Sequence, residues 1–115
     1  MLSHNPGDIP RGTLDMLILQ VLSEGENHGY GIARRIHQVS ESVLTAEEGS
    51  LYPALARLVT NGHAKHEWRQ SEANRRAKYY RLTPKGRRQL TKERRTWDAL
   101  TRAITAVLAP RTEGS

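Results

Sequence analysis

The sequence predicts a mainly α-helical fold with a small β component (α+β). Apolar residues recur at helical spacing in three successive segments, two further segments alternate between apolar and polar residues, and one long helical segment comes last. At 115 residues, the chain has room for one hydrophobic core. We therefore expect one compact domain over residues 13–83, extended by a single helix over residues 84–109.

The first two helices follow a short leader. Residues 1–12 contain two prolines, two glycines and few apolar side chains, which predicts a flexible segment. Regular structure is expected to begin at Thr13, because threonine favours helix N-caps. Residues 27–29 are predicted to form the turn between the two helices. The apolar positions that define these helices are Leu14, Leu17, Ile18, Val21 and Leu22, then Ile32, Ala33, Ile36 and Val39.

The third helix is expected to begin at Thr45, because Thr45 and Glu48 have the spacing of a capping box. Asn61 and the glycine after it are expected to end this helix. Pro53 has no N–H to donate, so the first turn is predicted to be tightened or kinked. The inward-facing side chains of this helix are Leu51, Leu55 and Leu58.

After the third helix the pattern changes to the period of a β-hairpin. Apolar and polar residues alternate over residues 64–69 and 78–82, with turn-forming residues at 71–74, which predicts two half-buried strands. Ala64, His66 and Trp68 are the residues expected to face inward on the first strand. Thr83 and Pro84 then supply an N-cap and a first-turn proline for a fourth helix, which is expected to end near Ala109 and leave residues 110–115 as a tail.

Composition excludes several classes of protein. A net charge of +6 favours a polyanionic partner. The longest apolar stretch, residues 14–22, is too short to span a bilayer and lacks the layout of a secretory signal, and there are no cysteines, so we expect a cytoplasmic protein. His63 and His66 have no further ligands nearby in sequence to complete a metal site. Without a glycine-rich phosphate loop, a carboxylate pair or an activated nucleophile, we expect no cofactor and no enzymatic activity.

Three short helices followed by a hairpin is the order of a winged helix-turn-helix domain. In that fold the third helix enters the major groove of DNA, and the hairpin, or wing, lies against the backbone or minor groove. The predicted wing contains six cations and two carboxylates over residues 64–82, a balance that suits DNA phosphates. A solvated basic surface is the alternative interpretation.

The candidate DNA-binding residues lie on the second helix, the third helix and the wing. Ser50 can hydrogen-bond a base or a phosphate, while Pro53 and Ala54 suit a thymine methyl group. Tyr52 either reaches a phosphate through its hydroxyl or packs between helices; Tyr30 has the same two interpretations, with phosphate contact favoured at a helix N-terminus. The full set is Tyr30, Ser50, Tyr52, Pro53, Arg57, Arg69, Arg75, Arg76 and Lys78.

The last helix has the heptad spacing of a dimerisation helix. A helix of this length would project from so small a domain, so we expect the same helix of a second subunit to cover it; folding back on its own domain is the alternative. A two-fold dimer would read a palindromic operator. Trp97 and its symmetry mate could also sandwich a small planar aromatic effector, although a packed interface tryptophan is more common. The expected interface residues are Leu90, Trp97, Leu100, Ile104, Val107 and Leu108.

Four segments resemble the PadR-type transcriptional regulators: residues 12–15 (GTLD), 28–32 (HGYGI), 49–55 (GSLYPAL, followed by Arg57 and Leu58) and 76–83 (RAKYYRLT). The resemblance implies a winged-helix repressor of the compact subgroup, which dimerises through one C-terminal helix and often responds to a small molecule. Two other functions stay open: a winged-helix module that binds a partner protein, and a non-specific nucleic-acid-binding protein.

Overall fold

A computed structural model describes residues 9, 11–70 and 72–111. The elements, in chain order, are α1 (Arg11–Ser23), β1 (Asn27–His28), α2 (Gly29–Val39), α3 (Glu48–Thr60), β2 (Ala64–Gln70), β3 (Arg76–Leu82) and α4 (Pro84–Leu108). This order confirms the predicted mainly α-helical winged fold. The predicted leader and tail lie largely outside the described residues.

Helix α1 forms the centre of the core. Leu14, Ile18, Leu19 and Leu22 are each at most 2% exposed, and α1 contacts α2, α3, α4 and β3. Burial of each such side chain stabilises the fold by about 1.5–3 kcal/mol. The predicted start at Thr13 is two residues late, because the helix already begins at Arg11, and the sequence has no apolar residue at positions 11 and 12 to mark that start.

A third strand precedes α2 where the sequence predicts only a turn. Asn27 and His28 form β1, which pairs antiparallel with β3 and gives a three-stranded sheet in the order β1-β3-β2. Two residues are too few to produce an alternating pattern. His28 also caps α2, because its Nδ1 accepts a hydrogen bond of 3.0 Å from the backbone N–H of Gly31. Val39, expected inside, is 61% exposed at the end of α2, beyond the core.

Helix α3 begins at Glu48, three residues after the predicted start. Its N-cap is Glu47, which makes no side-chain capping hydrogen bond, so the predicted capping box at Thr45 is wrong. The preceding loop is instead held by Ser40, whose hydroxyl accepts a hydrogen bond from the backbone N–H of Leu44. Ala54 is fully buried with the three predicted leucines, so it is not available to a thymine methyl group.

The wing is the hairpin of β2 and β3, paired in register from Ala64 opposite Leu82 to Gln70 opposite Arg76. Only the base of the hairpin covers the core: Ala64 is 2% exposed, whereas Trp68 is 53% exposed. The prediction of a half-buried first strand is therefore wrong beyond Ala64, because the hairpin extends past the helices that would bury it.

Helix α4 divides into a packed half and a projecting half. Thr83 caps its start by accepting a hydrogen bond of 2.9 Å from the N–H of Gly86, and Leu90 is buried in the core. The prediction that Leu90 lies between subunits is therefore wrong, since this half of α4 packs on its own domain. The molecule is elongated, with extents of 65 × 31 × 27 Å. Within the described ranges, no helix is both long and apolar enough to cross a membrane.

Candidate nucleic-acid interface

The first turns of α3 present an open surface. Gly49, Ser50, Tyr52 and Pro53 are exposed there, whereas the leucines of the same helix face the core. Ser50 and Pro53 line one shallow groove, so their side chains are available to a ligand. Arg57 lines the same groove, so the structure brings together three of the predicted contacts on the helix that would enter a DNA groove.

Arg57, a third predicted contact on α3, is engaged inside the protein. Its Nη2 lies 2.7 Å from Oδ1 of Asp15 on α1, its Nε donates to the other carboxylate oxygen at 3.4 Å, and both side chains are less than one-third exposed. This two-pronged ion pair ties α3 to α1. Arg57 therefore joins two helices of the fold, and its predicted contact with DNA would involve a guanidinium that is already paired with Asp15.

The two predicted tyrosine contacts differ in their surroundings. Tyr30 is 68% exposed near the start of α2, while Tyr52 is 46% exposed and its ring lies against Gly29. The ring of Tyr52 thus packs between α2 and α3 and still reaches the surface. Burial raises the pKa of Tyr80, with the nearby Tyr52 as a smaller cause, so the Tyr80 hydroxyl stays protonated at neutral pH.

On one face of the wing, the cation expected to contact DNA is neutralised. Arg69 forms ion pairs with Glu26 at 2.6 Å and Glu67 at 2.9 Å, and its guanidinium lies 4.7 Å from the centre of the Tyr79 ring. The hydrogen bond from Arg69 lowers the pKa of the Glu26 carboxyl, and the same bond raises the pKa of Arg69. Arg69 is therefore a link between the wing and the segment before β1, and its contact with DNA stays a prediction.

On the other face of the wing, two predicted cations flank an exposed aromatic ring. The Arg76 guanidinium lies 5.0 Å and the Lys78 ammonium 5.4 Å from the centre of the Trp68 ring. Among the residues that the structure describes, neither cation forms an ion pair with a carboxylate. Arg75 is exposed beside them at the end of the turn. Sequence reasoning missed Trp68, because its alternating pattern indicated an inward-facing residue.

The projecting half of α4 carries an apolar stripe that the chain itself leaves uncovered. At its upper end, Trp97 lines a groove of about 450 Å³ between α1 and α4, together with Met16, Thr96 and Leu100. The stripe consists of Trp97, Leu100, Ile104, Val107 and Leu108, which are 45–83% exposed.

In the described part of the chain, no three His, Asp or Glu side chains converge to hold a metal ion.

Comparison with known proteins identifies this arrangement. A model of the PadR-like family of transcriptional regulators matches residues 18–92, from α1 through the wing to the first turns of α4. The chain belongs to the PadR-like family. A transcriptional regulator of Mycobacterium tuberculosis is 31% identical over 97 residues, which cover 84% of this chain and 87% of that protein.

Solved structures agree with this membership. A transcriptional regulator from Clostridium thermocellum is similar with a TM-score of 0.79 at 32% identity, covering 86% of this PadR-like chain and 96% of the other. A PadR family transcription regulator from Clostridium difficile is similar with a TM-score of 0.71 at 31% identity, and the match covers 84% of this chain and 98% of the other. The PadR-like protein is therefore a DNA-binding transcriptional regulator and not an enzyme.

Proposed function

We propose that this PadR-like regulator is a cytoplasmic repressor that binds an imperfectly palindromic operator as a homodimer. The observation that carries the proposal is the apolar stripe on the projecting half of α4, which pairing with a second subunit would cover. Repression would follow from steric exclusion of RNA polymerase at a promoter.

The stripe has the geometry of a helix-pairing surface. Trp97, Leu100, Ile104 and Val107 are spaced three, four and three residues apart, as in a heptad seam. Helix α4 is 25 residues long, or about 37 Å, and only its first half packs on the domain. A two-fold axis through the second half would cover the same stripe on both subunits. The interface we propose therefore omits Leu90.

The two-fold axis also sets the form of the operator. It would present two copies of α3 to the same side of the duplex, with Ser50 and Pro53 near base edges and Arg76 and Lys78 near phosphates. Half-sites should then lie about 10 base pairs apart, or one turn of B-DNA. Tyr30, Tyr52 and Arg75 remain candidate contacts at the edges of this surface.

A binding assay on the promoter of the protein's own gene tests this function. In a gel-shift assay we expect a protein–DNA complex at nanomolar protein, with an affinity that falls steeply as the salt concentration rises. Footprinting of the same promoter should show two protected half-sites. Duplex binding that does not depend on two half-sites at a fixed spacing would instead indicate a non-specific nucleic-acid-binding protein. Failure to bind any duplex at low salt would favour a module that recognises a partner protein.

The groove between α1 and α4 supports a second proposal, release of the operator by a small aromatic effector. Its volume of about 450 Å³ lies in the range of ligand pockets, and Trp97 provides a flat surface for stacking. An effector there would change the spacing of the two DNA-binding domains. Phenolic compounds should quench fluorescence in the wild type but not in Trp97→Ala. A response that persists in Trp97→Ala would contradict this site.

A further inference from the structure

The two faces of the wing differ in how their charges are balanced. One face carries Lys65, Arg69 and Arg81, and here Arg69 is paired with two carboxylates. The opposite face carries Trp68, Arg76 and Lys78, and this Trp68 face has no carboxylate among its described residues. An external anion would therefore meet less opposing charge on the Trp68 face.

The position of Trp68 is unusual for so large an apolar side chain. It lies on the same side of the sheet as Ala64, but four residues farther along β2, which is about 13 Å at the rise of a β-strand. At that distance it lies outside the core, and 53% of the residue is exposed. Lys78 lies directly opposite Trp68 on β3, so a cation and an aromatic ring share one site at the outer part of the wing.

Building on the DNA-binding function proposed above, we propose that the Trp68 face is the side of the wing that meets the duplex. Arg76 and Lys78 neutralise phosphates of adjacent backbone, and the indole of Trp68 packs against sugars and base edges in the minor groove. Proteins that bind the minor groove combine cationic side chains with apolar ones that contact base steps. Duplex DNA fits this surface because it offers regularly spaced anions next to flat apolar surfaces.

A purely structural role for Trp68 predicts a different outcome. In that case the ring would only stabilise the hairpin through its contacts with the two cations. Replacing Trp68 would then lower the melting temperature without changing DNA affinity in the folded protein. Affinity and stability therefore have to be measured on the same variants.

The experiment compares variants on the two faces of the full-length protein. Fluorescence anisotropy would use a labelled duplex of about 30 base pairs from the promoter of the protein's own gene, and a scrambled duplex of the same length. The variants are Trp68→Ala, Trp68→Val, which keeps strand propensity, and Lys78→Gln. Lys65→Gln is the matched control, because it removes the same charge from the opposite face. Circular dichroism confirms that each variant is folded.

We expect Trp68→Ala and Trp68→Val to bind both duplexes about tenfold more weakly than the wild type, from the lost apolar contact. Lys78→Gln should weaken binding, and the slope of log affinity against log salt concentration should fall by about one per subunit, because one fewer counterion is released. Lys65→Gln should bind like the wild type. At saturating DNA, binding should also quench tryptophan emission in the wild type, and this quenching should be absent in Trp68→Ala, in which Trp97 is the remaining tryptophan.

Two results would overturn this inference while leaving the proposed function intact. One is wild-type affinity in both folded Trp68 variants, and the other is an equal loss in Lys65→Gln and Lys78→Gln. If the wild type itself binds neither duplex at low salt, the proposed function fails and this inference fails with it.

Discussion

At the scale of single residues, neighbours decide what each arginine can do. Arg57 and Arg69 are held by carboxylates that lie 42 and 43 residues away in the sequence, at Asp15 and Glu26. Arg76 lies over an aromatic ring instead. The three guanidinium groups are chemically identical, so the sequence alone predicts the same DNA contact for all of them. Only the folded chain separates internal ion pairs from available cations.

The ion pair of Arg57 with Asp15 should contribute to stability. Both side chains are largely covered, so removing one partner leaves the other poorly solvated. We expect Arg57→Gln to lower the free energy of unfolding by about 1–2 kcal/mol, because the pair is only partly buried. Urea unfolding measures this change, with Arg34→Gln on the exposed side of α2 as the control. Equal stabilities of the two variants would contradict a structural role for Arg57.

The link between Glu26 and Arg69 should respond to acid. The hydrogen bond from Arg69 places the folded-state pKa of Glu26 below its usual value of 4.5. Its stabilising effect is therefore complete above the unfolded-state pKa and is lost as the pH falls through the folded-state pKa. The melting temperature of the wild type should exceed that of Glu26→Gln by a constant margin at neutral pH. This margin should close as the pH falls through the lowered folded-state pKa of Glu26. A margin that does not depend on pH would rule out the link.

At the scale of elements, close backbone contacts fix how helices meet the sheet. A Cβ on Gly86, in the first turn of α4, would collide with the backbone carbonyl of His63, just before β2. Glycine therefore allows α4 to dock against the base of the wing. Through this contact, Gly86 links the base of the wing to the proposed dimerisation helix.

Gly86→Ala should destabilise the protein by about 1–3 kcal/mol, the usual cost of overpacking a tight contact. The backbone of His63 cannot rotate away as a flexible side chain would. Gly49→Ala is the control, because a Cβ there meets nothing within 4 Å and lies in the helical part of α3. Thermal unfolding should show a lower midpoint for Gly86→Ala alone. Similar midpoints for both variants would mean that α4 can shift to accept the methyl group.

The third helix and the wing should contribute differently to DNA binding. Ser50 lies where base edges are expected, so Ser50→Ala should change the preference between operator and scrambled duplexes more than the overall affinity. Arg76→Glu should weaken binding to both duplexes alike, because phosphate contacts carry no sequence information. It should also make the affinity depend less on salt, because fewer counterions are released. Competition binding at two salt concentrations measures both effects. Unchanged binding by Arg76→Glu would contradict the placement of the wing on DNA.

At the scale of the whole molecule, the elongated shape comes from the projecting half of α4, which is the feature that supports the proposed dimer. The projecting half of α4 exposes five large apolar residues that a monomer would leave in water. Since this stripe lies beyond the residues matched by the family, at 97–108, the family match does not cover the proposed interface. The oligomeric state is therefore the measurement on which the palindromic operator depends.

Replacing Leu100 and Ile104 together by asparagine should convert the proposed dimer to a monomer. Light scattering coupled to gel filtration should give a mass near 26 kDa, twice the 13.0 kDa of one chain, for the wild type and 13.0 kDa for the variant. Ala99→Asn with Ala106→Asn introduces the same side chains on the opposite face of α4 and should stay dimeric. A wild type that is already monomeric at micromolar concentration would contradict the proposed interface.

Much of the architecture follows from the sequence by itself. The periods of apolar residues fixed three helices, a hairpin and a long last helix, because each element must turn one side to a single core. The motifs at residues 28–32, 49–55 and 76–83 indicated the family. Ser50, Pro53 and Arg76 are exposed, and Lys78 is half-buried.

Only the tertiary structure decided which of these residues are available. It buried Ala54 and Leu90, engaged Arg57 and Arg69 with distant carboxylates, and left Trp68 outside the core. Local periodicity reports which side of an element is apolar, but it does not report how far the core reaches. That limit, and the pairing of charges far apart in the sequence, depend on how the elements pack together in three dimensions.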